Sequence, residues 1–174
     1  MKMLIINGSP RDDGISNTYK ALMAEAKYFK DKGYEIEYLK IPATFYGCVD
    51  CGNCKQYCNN DEFLTKVIKG IQEADDVLFG SPVYLDMPTP QMCALLTRLN
   101  CMAENTNREF FKGKNAYTLA TAFCSGTKTC IHTMFGALEM LGFNLPARGS
   151  REYIVKWNDK KLRGGNKSSV ILSS

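Results

Sequence analysis

Two Gly-Ser-Pro triplets, Gly8-Ser9-Pro10 and Gly80-Ser81-Pro82, each close a short apolar run in this chain of 174 residues. Met3-Leu4-Ile5-Ile6 leads into the first, and Val77-Leu78-Phe79 into the second. A continuous apolar run is what a strand needs when neither of its faces meets water. Such strands occur in parallel sheets covered by helices on both sides, so the paired triplets restrict the chain to an α/β architecture.

The stretches between these runs agree. Tyr19, Leu22, Ala26 and Phe29 fall at steps of three and four, giving the first helix one apolar stripe. Tyr34, Ile36 and Tyr38 alternate with Glu35 and Glu37, which predicts a half-exposed strand at a sheet edge. Helical patterns follow at residues 62–73 and 90–102, a fourth strand at 116–120, and a helix striped by Ile131, Met134, Phe135, Leu138 and Leu141. Residues 143–145 begin a fifth strand. The chain is thus predicted to form a doubly wound sheet of five parallel strands, order 2-1-3-4-5, with helices on both faces. Residues 1–150 form one domain containing a cysteine-rich connection at 41–60. The tail at 151–174 is polar from Lys160 onward, which argues against a fifth helix and leaves its order open.

The totals narrow the function classes. Lys and Arg exceed Asp and Glu by enough to give a net charge of +4, yet they are scattered, so no nucleic-acid patch is expected. No apolar run has the length of a membrane span, and the start MKMLIINGSPR lacks a secretory core. A cytoplasmic protein is expected. In such a reducing compartment, eight cysteines imply a metal site or redox thiols before a disulfide framework.

The first triplet opens a loop rich in neutral donors. Ser9, Ser16, Asn17 and Thr18 supply hydroxyls and amides, Arg11 a cation, and the following helix the positive end of its dipole. The glycines do not match G-x-G-x-x-G and no Walker lysine follows, which disfavours a dinucleotide or ATP loop. Strands one and three are neighbours at the switch point of a 2-1-3-4-5 sheet, so the second triplet opens beside the first. Its continuation, Val83-Tyr84-Leu85, offers an aromatic and backbone groups to a flat heteroaromatic ring.

Cys48-x-x-Cys51-x-x-Cys54-x-x-x-Cys58 has the compact spacing that gathers thiolates around one 4Fe–4S cluster. No proline follows Cys58 and no second set completes another cluster, so all four would have to serve one centre. Zinc and bare reduced thiols remain alternatives. Cys93, Cys101, Cys124 and Cys130 are scattered, and the lone His132 lies on a predicted helix in a structural or surface role.

On GSPRDDGISNT, the cysteine cluster and FGSPVYLDMPTPQMCALLTRL, the sequence resembles the NADPH-dependent FMN reductase family and the related iron–sulfur flavoproteins, which are flavodoxin-like. A weaker match runs through Thr121–Gly126. The resemblance implies that Ser9, Arg11, Ser16, Asn17 and Thr18 hold an FMN phosphate. Pro82, Val83, Tyr84 and Leu85 would border the isoalloxazine, with Ser125 and Gly126 closing the other side. It implies an oxidoreductase with no catalytic side chain, in which the flavin carries electrons from NAD(P)H to quinones, free flavins or other small acceptors. The iron–sulfur branch implies instead an electron carrier serving a ferredoxin-like partner, with Cys48, Cys51, Cys54 and Cys58 as ligands. A homodimer or homotetramer is the expected assembly. The sequence departs from the family at Cys93, where a lysine is usual, at Thr97, where an aspartate is usual, and in its short tail; Arg98 is retained.

Overall fold

A computed structural model of the protein describes residues 1–52, 61–105, 108–147, 149–156 and 169–172. Its elements run β1 (Lys2–Asn7), α1 (Asn17–Asp31), β2 (Glu35–Lys40), α2 (Glu62–Glu73) and β3 (Asp76–Pro82). Then come α3 (Pro90–Asn105), β4 (Asn115–Ala122), α4 (Thr127–Leu141), β5 (Ser150–Lys156) and β6 (Ser169–Leu172). The sheet order is β2-β1-β3-β4-β5-β6. The first five strands pair in parallel, which is the predicted 2-1-3-4-5 flavodoxin-like arrangement, and β6 adds an antiparallel strand to β5.

Alternation along the strands divides the core in two. Leu4, Ile6, Val77, Phe79, Ala116 and Ala120 point to the face covered by α2, α3 and α4. Met3, Ile5, Leu78 and Leu119 point to the opposite face, where Ala21, Leu22, Ala26 and Phe29 of α1 cover them. β1 and β3 are buried almost throughout, while β2 is only half-buried at its edge position. Two helix starts have a local cause. Ser16 caps α1 by accepting from the Tyr19 N–H at 3.2 Å, and Asp61 caps α2 by accepting from Leu64 at 2.9 Å.

Two features depart from the sequence reading. The fifth strand begins at Ser150 and not at Phe143. Asn144 makes a single bridge with Asn115, after which Pro146 has no N–H to continue a ladder. The chain then turns, Gly149 donating to the Pro146 carbonyl at 2.8 Å, before pairing resumes against Thr118–Ala122. The tail also supplies β6, which pairs its Leu172 with Tyr153 and its Ser169 with Lys156. Among the described residues, no helix is long and apolar enough to cross a membrane.

The register places the two triplets side by side. Asn7 lies opposite Gly80, and the Gly8 N–H donates to the Gly80 carbonyl at 2.8 Å. Both glycines are there for space. A Cβ on Gly8 would stand 3.1 Å from the Met92 side chain, and one on Gly80 2.6 Å from Leu22 Cδ2. A larger residue at Gly80 would force the Leu22 side chain to move, and one at Gly8 would crowd Met92, at the point where the two loops part.

Candidate functional site

The loops after β1, β3 and β4 border an open pocket at the carboxyl edge of the sheet. Ser9, Arg11, Ser16, Asn17, Thr18, Pro82, Val83, Tyr84, Thr121, Ala122 and Phe123 line it. Eight of these are residues that the sequence singled out. The remaining three come from the end of β4, brought in by the pairing of Pro82 with Thr121.

The polar end of the pocket is organised before any ligand arrives. The Asn7 side-chain oxygen accepts the Ser9 N–H at 2.9 Å. The Ser16 hydroxyl, already used as the α1 cap, donates to the Ser9 hydroxyl at 2.9 Å. Neither bond uses the Ser9 hydroxyl hydrogen, so the relay ends in a donor at the pocket wall. Thr18 and Thr121 share one hydrogen bond at 2.7 Å, which consumes one of their two hydroxyl hydrogens and leaves the other. Behind the loop, Lys40 donates to the Arg11 carbonyl at 2.7 Å and lies 3.5 Å from Asp13. Tyr38 donates to the same Asp13 carboxylate at 3.0 Å, and burial, opposed in part by its hydrogen bond from Asn7, raises its phenol above the ordinary value. Asp13 is thereby held away from the pocket, and among the described residues no acidic side chain lines it.

The other end is apolar. Pro82, Val83 and Tyr84 line it beside Ala122 and Phe123 of the neighbouring strand end. Tyr84 and Met87 exchange backbone hydrogen bonds of 2.8 and 3.0 Å around a two-residue turn. Leu85 and Asp86 occupy that turn with φ of 49° and 62°, as a type I′ turn demands. Leucine is a costly residue there, and its side chain is 98% exposed at the pocket rim, outside the lining. Ser125 and Gly126 also stand outside the lining. Gly126, with φ of 86°, begins α4 and leaves no room for a Cβ beside Val83 and the Asp86 carboxylate, so it locks the second loop against the third.

The serines of the two triplets have different tasks. Ser81 is fully buried, donates to the Pro82 carbonyl at 2.9 Å and accepts from Thr89 at 3.0 Å. Thr89 in turn donates to the Gly8 carbonyl at 2.7 Å, bolting one loop to the other. Nothing in the sequence separates this serine from Ser9 except the residues that follow.

Taken together, the donors form a set of neutral hydroxyls, a helix N-terminus and a single guanidinium at one end of an apolar slot. That set fits a phosphate monoester carrying a flat ring, which is the outline of FMN.

Of the cysteine cluster, Cys48 and Cys51 are exposed, while Cys54 and Cys58 lie outside the described residues. Among the described residues, no group of three or more His, Cys, Asp or Glu side chains comes together as a metal site. The connection reaches α2 at Asp61, whose carboxylate meets Arg98 at 2.8 Å. Arg98 is 1% exposed, and its guanidinium also lies 4.9 Å from the Phe45 ring and 5.2 Å from that of Tyr46. One arginine of α3 therefore fastens both ends of the cysteine-rich connection. Cys93 and Thr97, where the sequence departs from the resembled family, bond within their own helix region, to the carbonyls of Pro88 and Ala94. His132 is an exposed residue of α4.

Comparison with known proteins agrees with this architecture. The family model for NADPH-dependent FMN reductase matches residues 1–151. An iron–sulfur flavoprotein of Methanocaldococcus jannaschii is 29% identical over 124 residues, covering 69% of this chain and 61% of its own length. The match therefore spans less than two thirds of that relative. A solved NADH:FMN oxidoreductase in its apo form aligns with a TM-score of 0.65 at 18% identity, over 87% of this chain and 74% of that one. A flavodoxin from the domain Archaea aligns with a TM-score of 0.59 at 13% identity, over 92% of this chain and 87% of that one. These two likenesses are of fold.

Proposed function

The chain belongs to the NADPH-dependent FMN reductase family, and from that premise we propose that it is an FMN-dependent oxidoreductase moving electrons from NAD(P)H to a small-molecule acceptor such as a quinone or free flavin. The polarity of the pocket carries this reading: hydroxyls and Arg11 from the loop after β1, Pro82, Val83, Tyr84, Ala122 and Phe123 from the loops after β3 and β4, and no carboxylate among the described lining residues.

In this reading Ser9, Arg11, Ser16, Asn17 and Thr18 hold the FMN phosphate. Arg11 contributes the charge-assisted bond, and the Ser16–Ser9 relay presents a donor whose orientation is fixed in advance. Pro82, Val83 and Tyr84 border the ring, with Leu85 at its rim and Ser125 and Gly126 beyond Thr121–Phe123. FMN, when bound, supplies the redox chemistry, and the chain supplies position and exclusion of water. No side chain is assigned a catalytic role. Residues 1–150 serve as the flavin-binding unit, in the reducing cytoplasm. A homodimer or homotetramer is supported by the apolar residues left open at the pocket mouth, Tyr84, Leu85, Met87 and Phe123.

A second reading is supported by the curated relatives and by the cysteine spacing. The protein would then be an iron–sulfur flavoprotein, with Cys48, Cys51, Cys54 and Cys58 on a 4Fe–4S cluster and a ferredoxin-like partner in place of NAD(P)H.

A visible spectrum of protein purified without oxygen, with iron and zinc analysis, before and after NADPH, separates the two. A flavin spectrum bleached within seconds and little iron is the expected result. Broad brown absorbance with about four irons per chain and a slow response to NADPH would replace it with the second reading. A colourless protein that FMN cannot reconstitute would overturn both.

A further inference from the structure

α3 carries the cysteine-rich connection along one of its faces. Gln91 Nε2 donates to the Ala43 carbonyl at 3.0 Å. A Cβ placed on Gly47 would stand 3.7 Å from the Ala94 Cα. Arg98 lies against Phe45 and Tyr46. Cys101 comes next, with its Sγ 3.4 Å from the Sγ of Cys48. Gln91, Ala94, Arg98 and Cys101 follow one another at steps of three and four, which is a single helical stripe. The sulfur contact is the last rung of a continuous track between loop and helix. It is set by the same packing that places Phe45 in the core.

Two sulfurs at 3.4 Å touch without being bonded. Closing to an S–S bond needs a movement of roughly 1.4 Å, which a loop side chain supplies by a small rotation. The Asp50 N–H donates to Cys48 Sγ at 3.4 Å and fixes it on the side facing Cys101. Cys48 is exposed and Cys101 half-buried, so the loop cysteine is the more open of the two to a reagent. In a 4Fe–4S centre each thiolate sits on its own iron, which holds ligands apart. Contact between a loop sulfur and a helix sulfur is the geometry of a dithiol.

We propose that Cys48 and Cys101 form a reversible disulfide, and that the pair is a thiol–disulfide exchange site for a low-molecular-weight disulfide. The Cys48 sulfur attacks one sulfur of the reagent, breaking its S–S bond and releasing one thiol. The Cys101 sulfur then attacks Cys48 Sγ in the mixed disulfide and releases the second thiol. The two cysteines lose two electrons and two protons, and the reagent gains both as two thiols. The bond ties the start of the cysteine cluster to α3 and removes Cys48 from any metal-binding set, so oxidation and metal loading exclude each other. This inference does not rest on the flavin reading.

The test exposes the reduced, full-length protein to glutathione disulfide without oxygen, alkylates the remaining thiols and maps the peptides unreduced. A Cys48–Cys101 crosslink, lighter by two hydrogens and reversed by dithiothreitol, is expected. Cys101→Ser should trap glutathione on Cys48, and Cys93→Ser should leave the crosslink intact. Wild-type protein in which both cysteines alkylate, Cys48 keeps its glutathione, or Cys48 pairs with Cys51 would overturn the proposal. The crosslink is read in the wild type, so a variant that fails to fold leaves the test standing. A negative result would not alter the flavin spectrum.

Discussion

The loop after β1 and the loop after β2 leave the same edge of the sheet as neighbours, and they are built on opposite plans. The first closes on itself. Asn7, Ser9, Asp12 and Ser16 bond one another within a few residues, and Lys40 clamps the Arg11 carbonyl from behind. The described part of the second is held by other elements, by α3 through Gln91, Ala94, Arg98 and Cys101 and by α2 through Phe63, and leaves Tyr46 and Val49 open to solvent. A site for a charged phosphate gains from donors that need no rearrangement, because every reorientation would be subtracted from binding. A thiol loop that exchanges bonds gains from being held by a neighbouring element that can keep its backbone while the sulfurs move.

The contrast can be broken at several points. Arg98→Ala should have the largest effect, about 3–5 kcal/mol of stability in denaturant titration, because Asp61 is left without its buried partner. Arg98→Lys should recover only part of it, since an ammonium cannot stack on Phe45 and Tyr46 as a guanidinium does. Flavin affinity should change by less than threefold or so if the loops are independent; a loss parallel to stability would show that they are one unit.

Ser16→Ala acts on the other loop. It removes the α1 cap and the relay to Ser9, with an expected cost of about 1 kcal/mol. FMN affinity by fluorescence titration should fall roughly tenfold, the equivalent of one lost hydrogen bond to a charged group. Glutathione exchange at Cys48 should be unchanged.

Leu85→Asn sharpens the comparison at the pocket rim. Asparagine adopts the left-handed region more easily, and Leu85 buries nothing that would be lost. Thermal unfolding should show a gain of about 0.5 kcal/mol. A loss would mean that the leucine is covered in the assembled protein.

Cys130 gives the smallest effect at neutral pH and separates a core thiol from the loop thiols. Burial pushes it up to about 12 from an ordinary value of 9.0. The unfolded chain releases this proton first as pH rises, so its contribution to stability is whole below about 9 and declines toward 12. Cys130→Ala should flatten the alkaline slope of the unfolding free energy. At pH 8, Cys130 should resist alkylation while Cys48 reacts.

Much of this was legible because it is local. Met3–Ile6 and Val77–Phe79 announce buried strands, and Ser9 through Thr18 form a contiguous donor set that a helix start must gather. Thr121, Ala122 and Phe123 were less visible, since they enter the pocket only through the register between β3 and β4. The weaker match through Thr121–Gly126 includes them, but it pointed to Ser125 and Gly126 as the contact residues. The late start of β5 is written in Pro146, whose missing N–H outweighs the apolar Phe143 and Leu145. Ser81 repeats the Gly-Ser-Pro context of Ser9, yet it is buried and accepts from Thr89, which ties the two loops together.

By itself the sequence determined the buried strands of a parallel α/β sheet and the chemistry of the phosphate loop. Each follows from periodicity or from neighbours within a turn or two, where the covalent chain limits the geometry. The tertiary structure alone decided what α3 does for the cysteine connection. Arg98 reaches Asp61, Phe45 and Tyr46, and Cys101 meets Cys48, across separations of 37 to 53 residues. Such contacts depend on how a helix is rotated as it packs on the sheet, and that rotation is fixed by the summed burial of Met92, Leu95, Leu99 and Met102 on its other side. No single residue in the sequence carries it.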